Sequence, residues 1–147
     1  MIQRIQTLYV FISFVLTGLL LIFPFAEIMV ENTIYQFDKL GIGNTSGLLH
    51  DGWSIAVLIL IILLIHLVVI FCYKKRILQI RMLVFSIFLM IGLFGMFYFF
   101  SYFSFDNAHV DFNLVVAFPL IAIILDYMAI RAIGKDEALI RSINRIR

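Results

Sequence analysis

The fold is decided by one stretch in the middle of the chain, Val57-Leu58-Ile59-Leu60-Ile61-Ile62-Leu63-Leu64-Ile65, in which no side chain carries a polar atom. It lies inside a longer apolar run, residues 53–73, and about 20 such residues are needed for a helix to cross the hydrocarbon core of a bilayer. A helix that is apolar on every side is surrounded by lipid or protein instead of water. We therefore predict a transmembrane helix here.

The composition of the whole chain agrees with a membrane protein. Of the 147 residues, 64% are hydrophobic and 14% are charged, whereas soluble domains are about 45–50% apolar and about 25% charged. The single cysteine, Cys72, forbids an intramolecular disulfide. Composition therefore argues against a soluble enzyme, an extracellular disulfide module and a nucleic-acid binder.

Outward from this helix, three further stretches are long and apolar enough to span a membrane. The predicted spans are residues 8–26, 53–73, 82–103 and 112–130. They leave two outer loops, 27–52 and 104–111, and a tail, 131–147. We predict one membrane domain over residues 1–147 with an all-α fold, a four-transmembrane-helix bundle. Proline should bend the first and fourth helices, at Pro24 and Pro119.

The long outer loop is expected to form a small extracytoplasmic cap. Strand-like residues Thr33–Phe37 precede a glycine-rich turn region at 41–47, which predicts a short strand or β-hairpin. The segment Tyr102–Asn113 alternates enough to add a second strand. Some of the aromatic rings that crowd the outer end of the third span, from Phe97 onward, should pack on the outer loops.

Lysine and arginine predict the orientation, because loops rich in them stay in the cytoplasm. Ten of the 11 fall at the two termini or in the turn between the second and third spans, and only Lys39 lies in an outer loop. Both termini should therefore be cytoplasmic. The tail reads as an amphipathic helix, with Leu139, Ile143 and Ile146 on one face, able to lie on the inner leaflet or dock on a cytosolic protein.

Asp126 is the strongest candidate for a functional residue, because ionisable groups inside a span are costly. It lies five residues before Arg131, the wrong spacing for a pair on one helix, so a partner from another helix is expected. The leading interpretation is an ion pair with Arg81 or Arg4, which enter at the same face. A contact with a partner protein and a proton or ion role are the alternatives.

His66 lies in the inner half of the second span. Histidine changes charge near neutral pH, so a proton relay is one hypothesis. The favoured one is a neutral imidazole bonded to Ser86 or Ser13. A relay would need His66 and Asp126 within side-chain reach, and we predict that they approach each other.

The sequence gives little support for a metal site, a cofactor site or a catalytic site. His50, His66 and His109 lack the spacing of a helical metal site, and we predict no metal, no cofactor and no catalytic residue. The basic turn and tail form a candidate cytoplasmic interaction face, made of Lys74, Lys75, Arg76, Lys135, Glu137, Arg141 and Arg145.

Both ends of the chain carry motifs that resemble a known family. They are Met1-Ile2-Gln3-Arg4-Ile5-Gln6-Thr7-Leu8-Tyr9 at the start, and Leu125–Ile133 with Lys135–Ser142 at the end. With the basic turn 74–81, they are similar to an uncharacterised bacterial family of four-helix inner-membrane proteins, domain of unknown function 4293. Gly134 stands where that pattern suggests a basic residue. The resemblance implies a bacterial inner membrane and carries over no catalytic residue.

The leading functional hypothesis is a non-catalytic accessory or structural subunit of a larger membrane-protein assembly. Its expected partners are the lipid bilayer and another inner-membrane protein, with no nucleic acid, and a homo-oligomer is also compatible with the sequence. The alternative is a small oligomeric transporter or channel that uses Asp126 and His66. An enzyme is not expected.

Overall fold

A computed structural model describes residues 2–30, 33–44, 47–72, 75–103 and 109–144, with the backbone alone at residues 2–4, 103, 141, 143 and 144. Its elements, in chain order, are α1 (Ile2–Leu19), β1 (Ala26–Val30), β2 (Thr33–Asp38), β3 (Gly41–Asn44), β4 (Gly47–Asp51), α2 (Trp53–Phe71), α3 (Arg76–Phe103), β5 (His109–Phe112), a short 3₁₀ helix (Leu114–Ala117) and α4 (Phe118–Asn144). The fold therefore combines helices with strands.

The prediction of an all-α, four-span bundle is wrong. The strands form one antiparallel five-stranded sheet in the order β4-β3-β2-β1-β5. Over the described residues, three helices are long and apolar enough to cross a membrane: Trp53–Phe71, Arg76–Tyr102 and Leu114–Ile140. The apolar part of α1, Ile5–Leu19, is shorter. The chain thus carries three candidate spans beside α1 and a substantial sheet.

The predicted span 8–26 fails in its second half, and Pro24 explains why. Proline lacks an N–H and disfavours helical geometry in the residue before it, and α1 ends at Leu19. The apolar run then continues as β1, in which Ala26 and Ile28 are buried while Glu27 is exposed. A continuous apolar run does not by itself distinguish a helix from a buried strand.

The outer loop holds more structure than the single hairpin that was predicted. Four strands, β1 to β4, occupy most of residues 26–51. Strand β5 does form in the segment 102–113, but it pairs with β1, Ile28 opposite Val110, at the far side of the sheet from β3. The tight connection into β3 requires glycine, because Gly41 has a φ of 129° and a Cβ there would lie 2.0 Å from the His50 carbonyl oxygen.

The third helix begins earlier than predicted, and the fourth both begins and ends later than the predicted 112–130, since Phe112 belongs to β5 and α4 begins at Phe118. Helix α3 begins at Arg76, six residues before the predicted start at 82, so the basic turn is partly helical. Pro119 is the second residue of α4, in the first turn, where proline is tolerated, and not in the helix interior as predicted. Helix α4 then continues to Asn144, so residues 131–144 extend the same helix and form no separate tail helix.

The sheet lies at one end of the helices, because α1 leads into β1, β4 leads into α2, and β5 lies between α3 and α4. Its inner face packs on α3 through aromatic rings: Phe25 lies 4.6 Å from Phe97 and 5.3 Å from Phe37, and Phe37 stacks 5.9 Å from Phe100, as ring centroids. The expected packing of these rings on the outer loops is confirmed. We call this the sheet end, and the opposite end, where α2 passes to α3 and α1 begins, the basic end.

Candidate functional site

Three polar side chains from three helices meet inside the apolar core. His66 Nε2 lies 3.1 Å from each carboxylate oxygen of Asp126 and 2.9 Å from Ser13 Oγ. All three side chains have an exposed fraction of 0%. We call this group the buried polar cluster; it links α1, α2 and α4.

The helices position the cluster through regular buried stripes. In α1 and the residue after it, the buried residues recur every three or four positions, as Gln6, Val10, Ser13, Thr17 and Leu20. The matching stripe of α4 is Ala122, Asp126, Ala129, Ile133 and Asp136. Small residues at the contact let the backbones approach, so Ser13 Oγ also reaches the Ala122 carbonyl oxygen at 3.4 Å.

The hydrogen bonds of His66 restrict where protons can lie. Its Nδ1 is 2.8 Å from the Ile62 carbonyl oxygen, and a carbonyl only accepts, so Nδ1 carries a proton. An ionised Asp126 facing an unprotonated Nε2 would bring two acceptors together. One proton is therefore shared between Nε2 and the carboxyl group, either as imidazolium with carboxylate or as imidazole with carboxylic acid, and the pair is neutral overall in both forms.

The same geometry argues against a serine-hydrolase triad. In such a triad the serine and the carboxylate bind opposite nitrogens of the histidine. Here Ser13 and Asp126 share Nε2, while Nδ1 is engaged by the backbone of its own helix. The cluster therefore lacks the arrangement that makes a serine hydroxyl nucleophilic.

The partner that the structure shows for Asp126 is His66, and not the expected Arg81. Arg81 lies on the exposed surface of α3, whereas Asp126 is fully buried and bonded to His66. The side chain of Arg4 lies outside the described residues. The structure also chooses between the two hydroxyls considered for His66: Ser13 is the partner, and Ser86 Oγ is buried with no hydrogen-bond partner among the described residues.

A second polar contact between α1 and α4 was missed at the sequence level. Gln6 Nε2 donates to Asp136 Oδ2 at 2.6 Å, and both residues are 8% exposed. The signal was the spacing, since Gln6 is seven residues before Ser13, and Asp136 follows Asp126 along the 3–4 spaced stripe of α4. Because residues 131–147 were predicted to be a separate charged tail, the buried stripe of α4 was not followed as far as Asp136.

The candidate cytoplasmic face is only partly described. Lys75 and Lys135 are exposed, and Arg76 and Glu137 are half-buried. Lys74, Arg145 and the side chain of Arg141 lie outside the described residues. Among the described residues no group of three His, Cys, Asp or Glu side chains could hold a metal ion, and the His109–Asp111 pair of β5, 3.6 Å apart, lies in the open.

Comparison with known proteins places this geometry in a family. A family model described as domain of unknown function (DUF4293) matches residues 2–146. The chain belongs to the DUF4293 family. The match extends over both stripes that build the polar contacts of this DUF4293 protein, and it brings no assigned activity with it. Neither the curated proteins nor the solved structures contain a match.

Proposed function

We propose that this DUF4293 protein is a non-catalytic accessory or structural subunit of a larger membrane-protein assembly. The observation that carries the proposal is that the two ionisable groups of the buried polar cluster, His66 and Asp126, satisfy each other. Both ring nitrogens of His66 and both oxygens of Asp126 are engaged, at 0% exposure. A buried set that is complete within the chain serves to hold helices in register and offers no group to a substrate.

We further propose that the basic end faces the cytoplasm and the sheet end faces outward. Lys75 and Arg76 lie where α2 passes to α3, while Lys39 lies between β2 and β3. This charge distribution follows the positive-inside rule. A bacterial inner membrane is the location that the sequence resemblance predicts.

The sheet supplies a surface for the partner. Strand β4 is an edge of the sheet, all five of its residues are exposed, and Leu48 and Leu49 are 57% and 53% exposed. An exposed apolar edge strand is a template for pairing with another chain. We propose that a strand or extended segment of the partner protein lies here, and the interaction face at the basic end is the alternative surface.

The test is affinity purification of the tagged chain from native membranes in mild detergent, with identification of proteins that co-purify in stoichiometric amount. We expect one partner to be retained by the wild type and lost with Leu48→Lys, because a charge on an edge strand blocks pairing. The matched control is Leu114→Lys, which places the same charge at an 80% exposed leucine next to the sheet. A lone monomer contradicts the accessory role, and a partner that survives Leu48→Lys contradicts the β4 edge as the surface that binds it.

A second candidate function is favoured by the shared proton of His66 and Asp126. A small oligomeric transporter or channel would use that proton if assembly of several copies opened a path to the cluster. The experiment is proton flux into vesicles that contain the purified chain, compared between the wild type and Asp126→Asn. Flux that depends on Asp126 would favour transport over the accessory role.

A further inference from the structure

A groove between α1 and α4 opens on the surface near the basic end. It has a volume of about 460 Å³, and its apolar wall consists of Ile5, Met128 and Leu139, which are 50%, 41% and 55% exposed. Tyr9 contributes an aromatic ring that is half-buried. The groove thus offers apolar surface in the part of α4 that belongs to a candidate span, Leu114–Ile140.

Two cationic side chains line the same groove. Arg131 and Lys135 are exposed and lie four residues apart on α4, which places their Cβ atoms about 6 Å from each other on one face. No carboxylate within the described residues forms a salt bridge with either of them. The guanidinium of Arg131 lies over the Tyr127 ring, 6.0 Å from its centroid.

One carboxylate also lines the groove, and its hydrogen bond reduces the negative charge that it presents to a bound molecule. Asp136 is 8% exposed and accepts a hydrogen bond from Gln6 at 2.6 Å, so its charge is directed into the contact between α1 and α4. The lining therefore presents more positive than negative charge to a molecule in the groove.

We infer that this groove binds one anionic phospholipid, with the phosphate between Arg131 and Lys135 and an acyl chain along Tyr9 and Met128. A site that joins cationic groups to apolar surface is complementary to a molecule that joins a phosphate to a hydrocarbon chain. Because α4 is one continuous helix through this region, the lipid would bind between two helices, as opposed to beneath a tail lying flat on the membrane.

The experiment is native mass spectrometry of the full chain in detergent with added phosphatidylglycerol or phosphatidylcholine of equal chain length. We expect phosphatidylglycerol to bind at least tenfold more tightly. The double variant Arg131→Gln/Lys135→Gln should bind phosphatidylglycerol at least tenfold more weakly. Each basic group near an anionic surface contributes roughly fivefold to the affinity. The matched control is Lys75→Gln/Arg81→Gln, which removes two exposed charges outside the groove and should change binding less than twofold.

The inference would be overturned by equal binding of the two lipids, by unchanged binding in the Arg131→Gln/Lys135→Gln variant, or by an equal loss of binding in the control variant. Displacement of the lipid by millimolar inorganic phosphate would also overturn it, because the groove would then be a site for a free anion. Thermal unfolding of each variant verifies folding. If the double variant does not fold, Lys135→Gln alone takes its place, with Lys75→Gln as its control.

Discussion

Burying the ionisable side chains of His66 and Asp126 costs free energy, and their pairing explains why the chain tolerates them at these positions. Each is fully buried, and the two lie 3.1 Å apart. Removing one member of a buried ion pair costs about 3–5 kcal/mol, because the other is left uncompensated, whereas replacing both with apolar residues is often close to neutral. The pair therefore makes a specific prediction for double mutants.

We predict strong coupling between His66→Leu and Asp126→Leu. Each single variant should lower the free energy of unfolding markedly, and the double variant should be more stable than the sum of the two losses implies. The expected coupling is at least about 1.5 kcal/mol, the upper end for interhelical polar contacts in membranes. Denaturant titration in mixed micelles measures it, and additive losses would show that the pair does not hold the helices together.

The two buried serines provide a paired comparison. Ser13 Oγ lies 2.9 Å from His66 Nε2, while Ser86 Oγ has no hydrogen-bond partner among the described residues. Ser13→Ala should therefore lower the free energy of unfolding by about 1 kcal/mol, and Ser86→Ala should leave it unchanged or raise it. The same denaturant titration measures both free energies of unfolding. A larger loss for Ser86→Ala than for Ser13→Ala would contradict the position of the buried polar cluster.

Part of this site was open to prediction from sequence. Asp126 and His66 stand out because few polar residues interrupt the apolar helices, and Ser13 was one of two hydroxyls considered for His66. The partner of Asp126 was harder to predict, because a search for opposite charge leads to Arg81, which is exposed on α3. The rotation of α2 and α4 about their axes decides the pairing, and apolar stretches without a polar face do not reveal that rotation.

At the scale of elements, two prolines mark the ends of helices that flank the sheet, and one glycine permits the close approach of its strands. Pro24 follows the end of α1, and Pro119 lies at the start of α4. Between them, the sheet depends on Gly41, where a Cβ would meet the His50 carbonyl oxygen at 2.0 Å and the Gly52 nitrogen at 2.5 Å. No rearrangement of a flexible side chain relieves a collision with backbone.

We predict that Gly41→Ala lowers the free energy of unfolding by at least about 2 kcal/mol, from backbone strain together with the collision. Gly47→Ala is the control, because Gly47 also has a positive φ, 142°, but no atom within 4 Å of an added Cβ. Gly47→Ala should introduce backbone strain without a collision, and it should therefore lower the free energy of unfolding by less than Gly41→Ala does. Equal costs at the two glycines, measured by thermal unfolding in detergent, would show that β3 and β4 do not approach at Gly41 as described.

The helices were easier to predict than the sheet for a physical reason. The start of α2 at Trp53 follows from its unbroken apolar run. The segment from Leu20 to Ala26 was predicted as the end of a helix because it is apolar throughout, and Ala26 and Ile28 are buried in the same core cluster as residues of α2 and α3. Strand β5 was expected, but its pairing with β1 depends on contacts between residues 80 or more positions apart, which local patterns do not encode.

At the scale of the whole molecule, the chain separates its charges between two ends. Lys39 is the one lysine or arginine that the structure describes at the sheet end, while Lys75, Arg76 and Lys135 lie toward the other. The accessory role proposed for the β4 edge and the lipid groove proposed beside Lys135 both require that these ends lie on opposite sides of a membrane. Orientation is thus the claim on which the whole account depends.

The most direct test is cysteine labelling in intact cells, in a Cys72→Ser background that removes the native thiol. Lys39→Cys and Lys75→Cys are compared, each an exposed or loop position at one end. A membrane-impermeant maleimide should label Lys39→Cys in intact cells and Lys75→Cys only after the membrane is opened. Labelling of both variants in intact cells, or the reverse pattern, would contradict a protein that spans the membrane with its sheet outside and its basic end in the cytoplasm.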